Sequence, residues 1–265
     1  MLFKEDKMRK TNMIKLKRKF SFSLMELHVV VGIFLIFGGL FLGFLNASEI
    51  SKKAKKTACI DQLKSIGQAN AAYSNANQEW VVPAWNGKSS WYEILSGTNN
   101  AGSKIGEGYG IVYKGNARTT GTFVCPEEPI PFSPSFRRGF AFTHYGINAY
   151  VAGVKGLKDQ RLYGIHKQAA VKDPAKAMFC LDMIRNDASY INQINQIAYR
   201  HGTPDPRGLG KYGNPPGRGA CNIVYFDGHV GKSTYEELYQ ISSDYFGIDK
   251  GALGDGLDLK SGIAF

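Results

Sequence analysis

Residues 22–45 read FSLMELHVVVGIFLIFGGLFLGFL, and this stretch decides the architecture of the chain. From residue 27 to residue 45 the stretch is apolar except for His28 and several glycines. At about 1.5 Å per residue in a helix, this run spans about 28 Å, which is close to the thickness of a bilayer core. The stretch therefore predicts a transmembrane helix at residues 22–45.

The segment that precedes the apolar run is strongly basic. Residues 1–21 contain eight Lys or Arg against Glu5 and Asp6, so they hold +6 of the chain's formal net charge of +11. This excess predicts a cytoplasmic N-terminus and a C-terminal part on the other side of the membrane. Since the rest of the chain carries only +5, the charge does not indicate a nucleic-acid-binding surface. Met8 and Met13 are alternative start residues to the first methionine.

The junction between the basic and apolar segments has a specific pattern. Residues 17–21 read KRKFS and residues 22–27 read FSLMEL. This order and spacing resemble the class III signal of type IV pilins and type II secretion pseudopilins. In that family, prepilin peptidase removes a basic leader and the new N-terminal Phe is N-methylated. The resemblance implies a cut between Ser21 and Phe22, with Ser21 in the place of the family's usual Gly. It makes Glu26 the fifth residue of the mature chain, which is the family's hallmark.

The position of Glu26 has a physical rationale. A carboxylate at the start of an apolar run is costly in lipid unless it is paired. Cleavage would leave an α-amino group on Phe22, about one helical turn away, so a carboxylate on the same or a neighbouring helix could pair with it. We therefore expect Glu26 to direct assembly into a filament. The alternative is an ordinary signal anchor whose Glu26 reaches the membrane interface.

Residues 46–78 are expected to continue the helix with one apolar face. No proline occurs between residues 46 and 76. The apolar positions recur mostly at intervals of three to four residues, which is the helical period. They are Ile50, Ala54, Ala58, Leu63, Ile66 and Tyr73. Residues 59–67 read CIDQLKSIG and resemble the helix of a large pseudopilin-like subfamily with the pattern Cys-x-x-x-Leu-Lys-x-Ile-Gly.

Residues 79–265 have the composition of a β-rich globular head. Short apolar runs between Gly, Pro and Asn predict six strands, at residues 110–113, 121–125, 145–154, 177–182, 222–226 and 229–232. Asp227-Gly228 predicts a two-residue type I′ hairpin, and Ser233 with Glu236 predicts a capping box that opens a helix. The predicted fold class is α+β, with a long N-terminal helix packed on an antiparallel sheet, as in pilins.

The chain contains four cysteines, which are Cys59, Cys125, Cys180 and Cys221. None belongs to a CxxC pair, which argues against a zinc or redox motif. An extracytoplasmic head could hold a disulfide, and buried thiols are the equal alternative. The sequence assigns no connectivity.

A second resemblance lies near the C-terminus. Arg200-His201 and the FDGHV of residues 226–230 resemble a processing-associated motif of the same subfamily, in which a His precedes Asp-Gly by some nine residues. Here 25 residues separate His201 from Asp227. Because imidazole and carboxylate groups bind transition metals, His201, Asp227 and His229 are the candidate metal ligands. The alternative, which we favour, is a hairpin turn with a hydrogen-bonded His and no metal.

The sequence favours a structural protein over an enzyme. It contains no nucleophile elbow, phosphate loop, dinucleotide loop or zinc-protease helix. No cofactor is expected, although Asp255 and Asp258 could bind Ca²⁺ as some pseudopilins do near their C-terminus. The resemblance implies a pilin-like subunit of the bacterial inner membrane with a periplasmic or extracellular head. Its partners would be copies of itself, other pilins and prepilin peptidase. The alternative is a membrane-anchored periplasmic metal-dependent enzyme or ligand-binding protein.

Overall fold

The structure is a computed structural model, and it describes residues 23–115, 121–133, 135, 137–158, 163–202, 219–243 and 248–257. Within helices, residues 39–48, 241–243 and 248–250 are described by their backbone alone. The predicted leader, with Ser21, and the predicted mature N-terminus Phe22 lie outside the described residues. The chain divides into two compact units, Met1–Ile50 and Ser51–Phe265.

The described part of the chain is a mixture of α-helices and β-strands, with one five-stranded sheet. The helices are α1 (Leu24–Ala76), α2 (Trp91–Ser96), α3 (Ala149–Ala152), α4 (Tyr235–Ser243) and α5 (Ile248–Gly254). The strands are β1 (Tyr145–Asn148), β2 (Met178–Asp182), β3 (Tyr190–Ile191), β4 (Ala220–Tyr225) and β5 (Val230–Thr234). Single turns of 3₁₀ helix occur at Gln168–Ala170 and Ile194–Gln196.

The first unit contains the N-terminal part of α1. Its large apolar side chains are exposed along the helix between residues 24 and 37, and they are Leu24, Met25, Leu27, Val29, Val30, Val31, Ile33, Phe34, Leu35, Ile36 and Phe37. Among the described residues, no helix is both long and apolar enough to cross a membrane. The predicted membrane segment extends into residues 39–45, whose side chains are outside the described set.

The second unit is built around the sheet, whose strand order is β3-β1-β2-β4-β5. The pairs β1–β2, β2–β4 and β4–β5 are antiparallel. Strand β3 instead pairs parallel with β1, with Ile147 opposite Tyr190. The prediction of an antiparallel sheet is therefore confirmed for four strands and wrong for the edge strand β3.

Both faces of the sheet are covered. One face packs against the part of α1 beyond residue 50, α2 and the loops that follow α2. The other face packs against α4, α5 and the 3₁₀ turn at Ile194–Gln196. Because both faces are covered, β1 and β2 are buried along their whole length and show no alternation of apolar and polar residues.

One stripe of α1 lies in the core of the second unit. Cys59, Leu63 and Ile66 are fully buried, and their spacing of four and three residues places them on one helix face. Gly67 allows a close approach to the sheet, because a Cβ atom there would lie 2.9 Å from Cγ2 of Val224. The predicted apolar face is thus confirmed in its C-terminal half. Ile50 and Ala54 are exposed, so the buried stripe begins later than predicted.

Three of the six predicted strands correspond to observed strands, namely 177–182 to β2, 222–226 to β4 and 229–232 to β5. The prediction for residues 145–154 is half right, because the strand ends at Asn148. The side chain of Asn148 then accepts a hydrogen bond from Tyr150 N and caps the short helix α3. The predictions for residues 110–113 and 121–125 are wrong. These segments form no ladder, although the backbone N–H of Thr122 donates to the carbonyl of Val112.

The hairpin between β4 and β5 is confirmed, but its predicted turn type is wrong. Tyr225 N donates to His229 O at 2.9 Å, and Gly228 N donates to Tyr225 O at 3.0 Å, so the loop has three residues. Of these, only Gly228 has a positive φ, of 89°. This is the three-residue loop with a glycine bulge, and not the two-residue type I′ turn, in which both central residues need positive φ.

Helix α4 opens with a capping box one residue later than predicted. Glu237 Oε2 accepts from Thr234 N at 2.8 Å, and Thr234 Oγ1 accepts from Glu237 N at 3.3 Å. The predicted pair was Ser233 and Glu236. The shift arises because β5 extends to Thr234, which makes Thr234 the residue before the first helical turn.

We predict that the fragment 51–265 folds cooperatively and that the fragment 79–265 does not. The shorter fragment loses the buried stripe of α1. Truncating a single buried leucine or isoleucine to alanine typically lowers the free energy of unfolding by about 2–5 kcal/mol. Circular dichroism during urea unfolding measures the difference, with 51–265 as the matched control. A cooperative transition of equal midpoint in both fragments would show that α1 is dispensable to the core.

Candidate functional site

A group of buried polar side chains lies at the end of the sheet where β2 ends and β4 begins. Asp182 is the last residue of β2, and His201 exchanges two backbone hydrogen bonds with Ala220, the first residue of β4. Since β2 and β4 are antiparallel, both positions lie at the same end of the sheet. We call the group the buried polar cluster, and it comprises Cys59, Cys125, Glu127, Glu128, Asp182, Arg200 and His201.

The imidazole of His201 lies between two carboxylates. Its Nε2 is 2.8 Å from Asp182 Oδ2, and its Nδ1 contacts the carboxylate of Glu127. Burial alone would lower the pKa of His201, but the charge of Asp182 and its hydrogen bond raise it to about 10. At neutral pH the ring is therefore protonated, and both N–H groups donate to carboxylates.

Asp182 is held ionised although its side chain is completely buried. Its Oδ2 accepts from Asn222 N at 2.7 Å, and its Oδ1 lies 3.5 Å from Arg200 Nη1. Burial opposes ionisation, but Arg200 and His201 together keep the pKa of Asp182 below its ordinary value. Its Oδ2 thus accepts two hydrogen bonds, whereas its Oδ1 faces the charge of Arg200 but accepts no hydrogen bond from the described residues.

The guanidinium of Arg200 connects the sheet to the loop at residues 125–128. Its Nη2 is 3.0 Å from Glu128 Oε2 and donates to the carbonyl of Met183 at 2.5 Å and to that of His144 at 3.3 Å. Burial disfavours the charge, but Glu128 and Asp182 outweigh it and raise the pKa of Arg200. Arg200 thus holds together backbone segments that are distant in sequence.

Two thiols complete the cluster. Cys59 Sγ on α1 and Cys125 Sγ lie 2.7 Å apart, and both residues are buried. Burial would raise the pKa of Cys125, but the hydrogen bonds that its sulfur accepts from Cys59 and from the His201 ring, together with the charge of Arg200, lower it. Thiolate character therefore concentrates on Cys125, and the pKa of Cys59 is correspondingly raised.

The cluster contains a set of potential metal ligands. The ligand atoms of Cys59, Cys125 and His201 all lie within 4.8 Å of one another, and this is the one such group in the part of the chain that the structure describes. Thiolate and imidazole suit zinc. Both ring nitrogens of His201 already face carboxylates, however, so a metal would have to displace Glu127 or take it as a fourth ligand.

The three residues proposed from the sequence as metal ligands are not brought together. His201 belongs to the buried cluster at the start of β4. Asp227 and His229 lie in the turn after β4, about six residues or roughly 20 Å of extended chain away. There both are partly exposed, and His229 Nδ1 bonds to Asp227 Oδ1 at 2.6 Å. The favoured alternative, a hairpin turn with a hydrogen-bonded His, describes Asp227 and His229.

Sequence reasoning missed most of the cluster. The signal it could have used is the strand MFCLD, in which an apolar run ends in the acidic residue Asp182. A carboxylate at the end of a buried strand needs a cation, and Arg200-His201 is the basic pair nearest in sequence to the next long strand, β4. Nothing in the spacing points to Cys59 or Cys125 as their neighbours.

The remaining sequence candidates lie elsewhere. Glu26 is in the first unit and forms a capping box with Ser23. Its Oε2 accepts from Ser23 N at 2.9 Å, and Ser23 Oγ accepts from Glu26 N at 3.4 Å. Asp255 follows α5, and Asp258 lies outside the described residues, so the calcium hypothesis stays a prediction.

No family model, no curated protein and no solved structure matches this chain. The assignment of function therefore rests on the residues and contacts described above.

We predict that His201 makes the free energy of unfolding of fragment 51–265 fall as the pH rises from about 6.5 to about 10, and that the lowered pKa of Cys125 opposes this fall below about pH 9. His201 keeps its proton in the folded state up to about pH 10, whereas the unfolded state loses it near pH 6.5. The stabilisation is complete below pH 6.5 and is lost as the pH rises through the folded pKa, by up to about 1.4 kcal/mol per pH unit.

Urea unfolding at a series of pH values measures this dependence. His201→Gln should reduce the slope, since the other groups of the cluster are common to both proteins. The matched control is His229→Gln, which changes an exposed histidine and should keep the parent slope. Equal slopes in the parent and in His201→Gln would contradict the prediction.

Proposed function

We propose that this chain is a pilin-like structural subunit. In this proposal it is inserted into the bacterial inner membrane, cut by prepilin peptidase between Ser21 and Phe22, and assembled into a type II secretion pseudopilus or a type IV pilus-like filament. The observation that carries the proposal is the order of the N-terminal residues. A basic leader is followed by Phe22, by Glu26 four residues later, and by an apolar run.

The proposal assigns each part of the chain a task. Residues 22–45 would form the membrane half of the helix, which becomes the filament core after assembly, and residues 46–78 the half that packs on the head. The fold is then that of a pilin, with a long N-terminal helix on a sheet that is antiparallel except at its edge. The basic leader would stay in the cytoplasm, and the head would be periplasmic or extracellular.

The exposed apolar surface of the first unit supports the proposal. Eleven large apolar side chains between residues 24 and 37 are exposed, from 41% at Val30 to 78% at Met25. A contiguous surface of this kind marks a site that contacts lipid or protein. Lipid would cover it before assembly, and helices of neighbouring subunits would cover it afterwards. These neighbours are copies of this chain or other pilins.

The roles of Glu26 within its own helix have to be separated from its proposed role in assembly. Its carboxylate caps the helix by accepting a hydrogen bond from Ser23 N. Its negative charge in the first turn also interacts favourably with the helix dipole. Neither role needs a partner molecule. The proposed role is different, because it pairs the charge of Glu26 with the α-amino group of Phe22 on a neighbouring subunit.

The rival function is a membrane-anchored enzyme or binding protein that uses a metal. The ligand group of Cys59, Cys125 and His201 is the observation on its side. All three are buried, however, and a catalytic metal must keep a position open to water or substrate. The geometry of this group favours a structural part of the head over a reaction centre.

We predict that the mature protein begins with an N-methylated Phe22. Mass spectrometry of the intact protein from its native membranes reads the N-terminus directly. Ser21→Gly should increase the processed fraction, because it restores the small residue usual before the cut. An intact leader would favour the rival function, and a cut near Ala47, as in a secreted protein, would contradict both functions because it removes the anchor.

We predict that Glu26→Ala is inserted and processed but that the assembled fraction falls at least about tenfold. Removing one partner of a buried ion pair typically costs about 3–5 kcal/mol, which would produce a drop of this size or larger. Glu26→Asp should be intermediate, because its shorter side chain reaches less far. The measurement compares processed protein in membranes with protein in sheared filaments.

Two matched variants separate charge pairing from helix capping. Glu26→Gln keeps an oxygen that can accept from Ser23 N but removes the charge, so it should fail to assemble like Glu26→Ala. Ser23→Ala removes the capping hydroxyl but keeps the charge, so it should assemble almost like the parent. If Glu26→Gln assembles as well as the parent, capping is the role of Glu26 and the pairing argument fails.

A further inference from the structure

We propose that Cys59 and Cys125 form a disulfide that fastens α1 to the head. The proposal rests on the proposed function in one respect, which is that the head reaches an oxidising compartment outside the cytoplasm. Its geometric basis is independent of that function.

The fold selects this pair among the four cysteines. Four cysteines allow three complete pairings, and the sequence does not choose among them. The Sγ atoms of Cys59 and Cys125 are in contact inside the core. Cys180 packs with the core on the α1 side of the sheet, and Cys221 packs with the core on the opposite side. The sheet itself thus separates Cys180 from Cys221, which leaves one bridge and two single thiols.

The position of Cys59 indicates what the bridge would do for the structure. Residues 51–57 are exposed and residue 58 is half-buried, so Cys59 is the first fully buried residue of α1 in the second unit. A bridge at this position holds the helix where it enters the core. Any pull on the N-terminal part of the helix, as in a filament, would act first on this contact.

The surroundings of Cys125 favour the chemistry. The thiolate is the nucleophile of disulfide exchange, and the fold places Cys125 Sγ in contact with Cys59 Sγ, so folding brings the two partners together. Because both sulfurs are buried in the folded head, the exchange would take place before the cluster closes. Glu127 and Asp182 then neutralise the cations beside the finished bridge.

The reaction balances with an oxidised dithiol catalyst, a protein of the cell envelope that carries a reactive disulfide. The thiolate of Cys125 attacks this disulfide and forms a mixed disulfide with the catalyst. The thiolate of Cys59 then attacks the sulfur of Cys125. The Cys59–Cys125 bond forms, the bond to the catalyst breaks, and the catalyst leaves as a dithiol with the two electrons and, after protonation, the two protons.

A zinc ion on the same sulfurs is the competing occupant. Zinc would need both thiolates and a lone pair on His201, whereas both ring nitrogens already contact carboxylates, those of Asp182 and Glu127. A disulfide leaves both of these ion pairs intact. The arrangement of His201 therefore favours the disulfide.

The test uses the full chain, purified from its host membranes without reductant and denatured in the presence of a thiol-alkylating reagent. We expect two alkylated cysteines, Cys180 and Cys221, and a proteolytic peptide in which Cys59 is linked to Cys125. Reduction should make all four cysteines reactive. Cys59→Ser should expose Cys125 to the reagent, whereas the matched control Cys180→Ser should keep the bridge. Loss of the bridge should lower the unfolding temperature of the head by about 10 °C.

Four reactive thiols without reduction would overturn the proposal. So would zinc in a one-to-one ratio to protein, lost in Cys59→Ser. The same mass spectrum separates this proposal from the proposed function, because it also reads the N-terminus. A methylated Phe22 with four free thiols overturns the disulfide alone, and an uncut leader with an intact bridge overturns the filament function alone.

Discussion

One buried carboxylate imposes the arrangement of the head. Asp182 ends the buried strand β2, and its side chain has no exposed surface. A carboxylate in that position must be paired and hydrogen-bonded, because its desolvation is otherwise too costly. Its partners Arg200 and His201 come from the segment before β4, and they in turn face the two glutamates of the loop at residues 125–128. Arg200 and His201 each lie beside two carboxylates, so the charges of the cluster depend on one another.

The long helix α1 contacts the head at the same end of the sheet. The loop that supplies the glutamates also carries Cys125, and Cys125 contacts Cys59 on α1. From there the stripe with Leu63 and Ile66 continues across the sheet. The charge network and the apolar core are therefore adjoining parts of one structure. The network links the end of the sheet to the loop at residues 125–128, and the helix packs against both.

Local sequence patterns correctly predicted those strands, turns and helix faces that depend on neighbouring residues in the chain. The strands β2, β4 and β5, the hairpin and the helix face at Leu63 and Ile66 all follow from periods and turn residues within short windows. The errors are of two kinds. Turn and cap details shifted by one residue, because the pattern did not show that β5 begins at Val230 and ends at Thr234. The buried polar cluster was missed because its members are dozens of residues apart and meet only through strand order and loop closure, which no local pattern encodes.

The carboxylates of Asp182 and Glu26 both lie near apolar groups, but they differ in the partners that the chain provides for their charge. Asp182 finds two cations and a backbone N–H donor within its own chain, although its Oδ1 accepts no hydrogen bond from the described residues. Within the described residues, Glu26 has only the local cap at Ser23, on a helix whose apolar side chains are exposed. Glu26 is therefore exposed beside an apolar surface, and such a surface marks a contact with lipid or protein. Covering that surface would remove Glu26 from water as well, and the covering group must then supply a positive partner. In the proposed filament, a neighbouring subunit with a new α-amino group would meet both requirements, whereas the acyl chains of a bilayer would meet only the first.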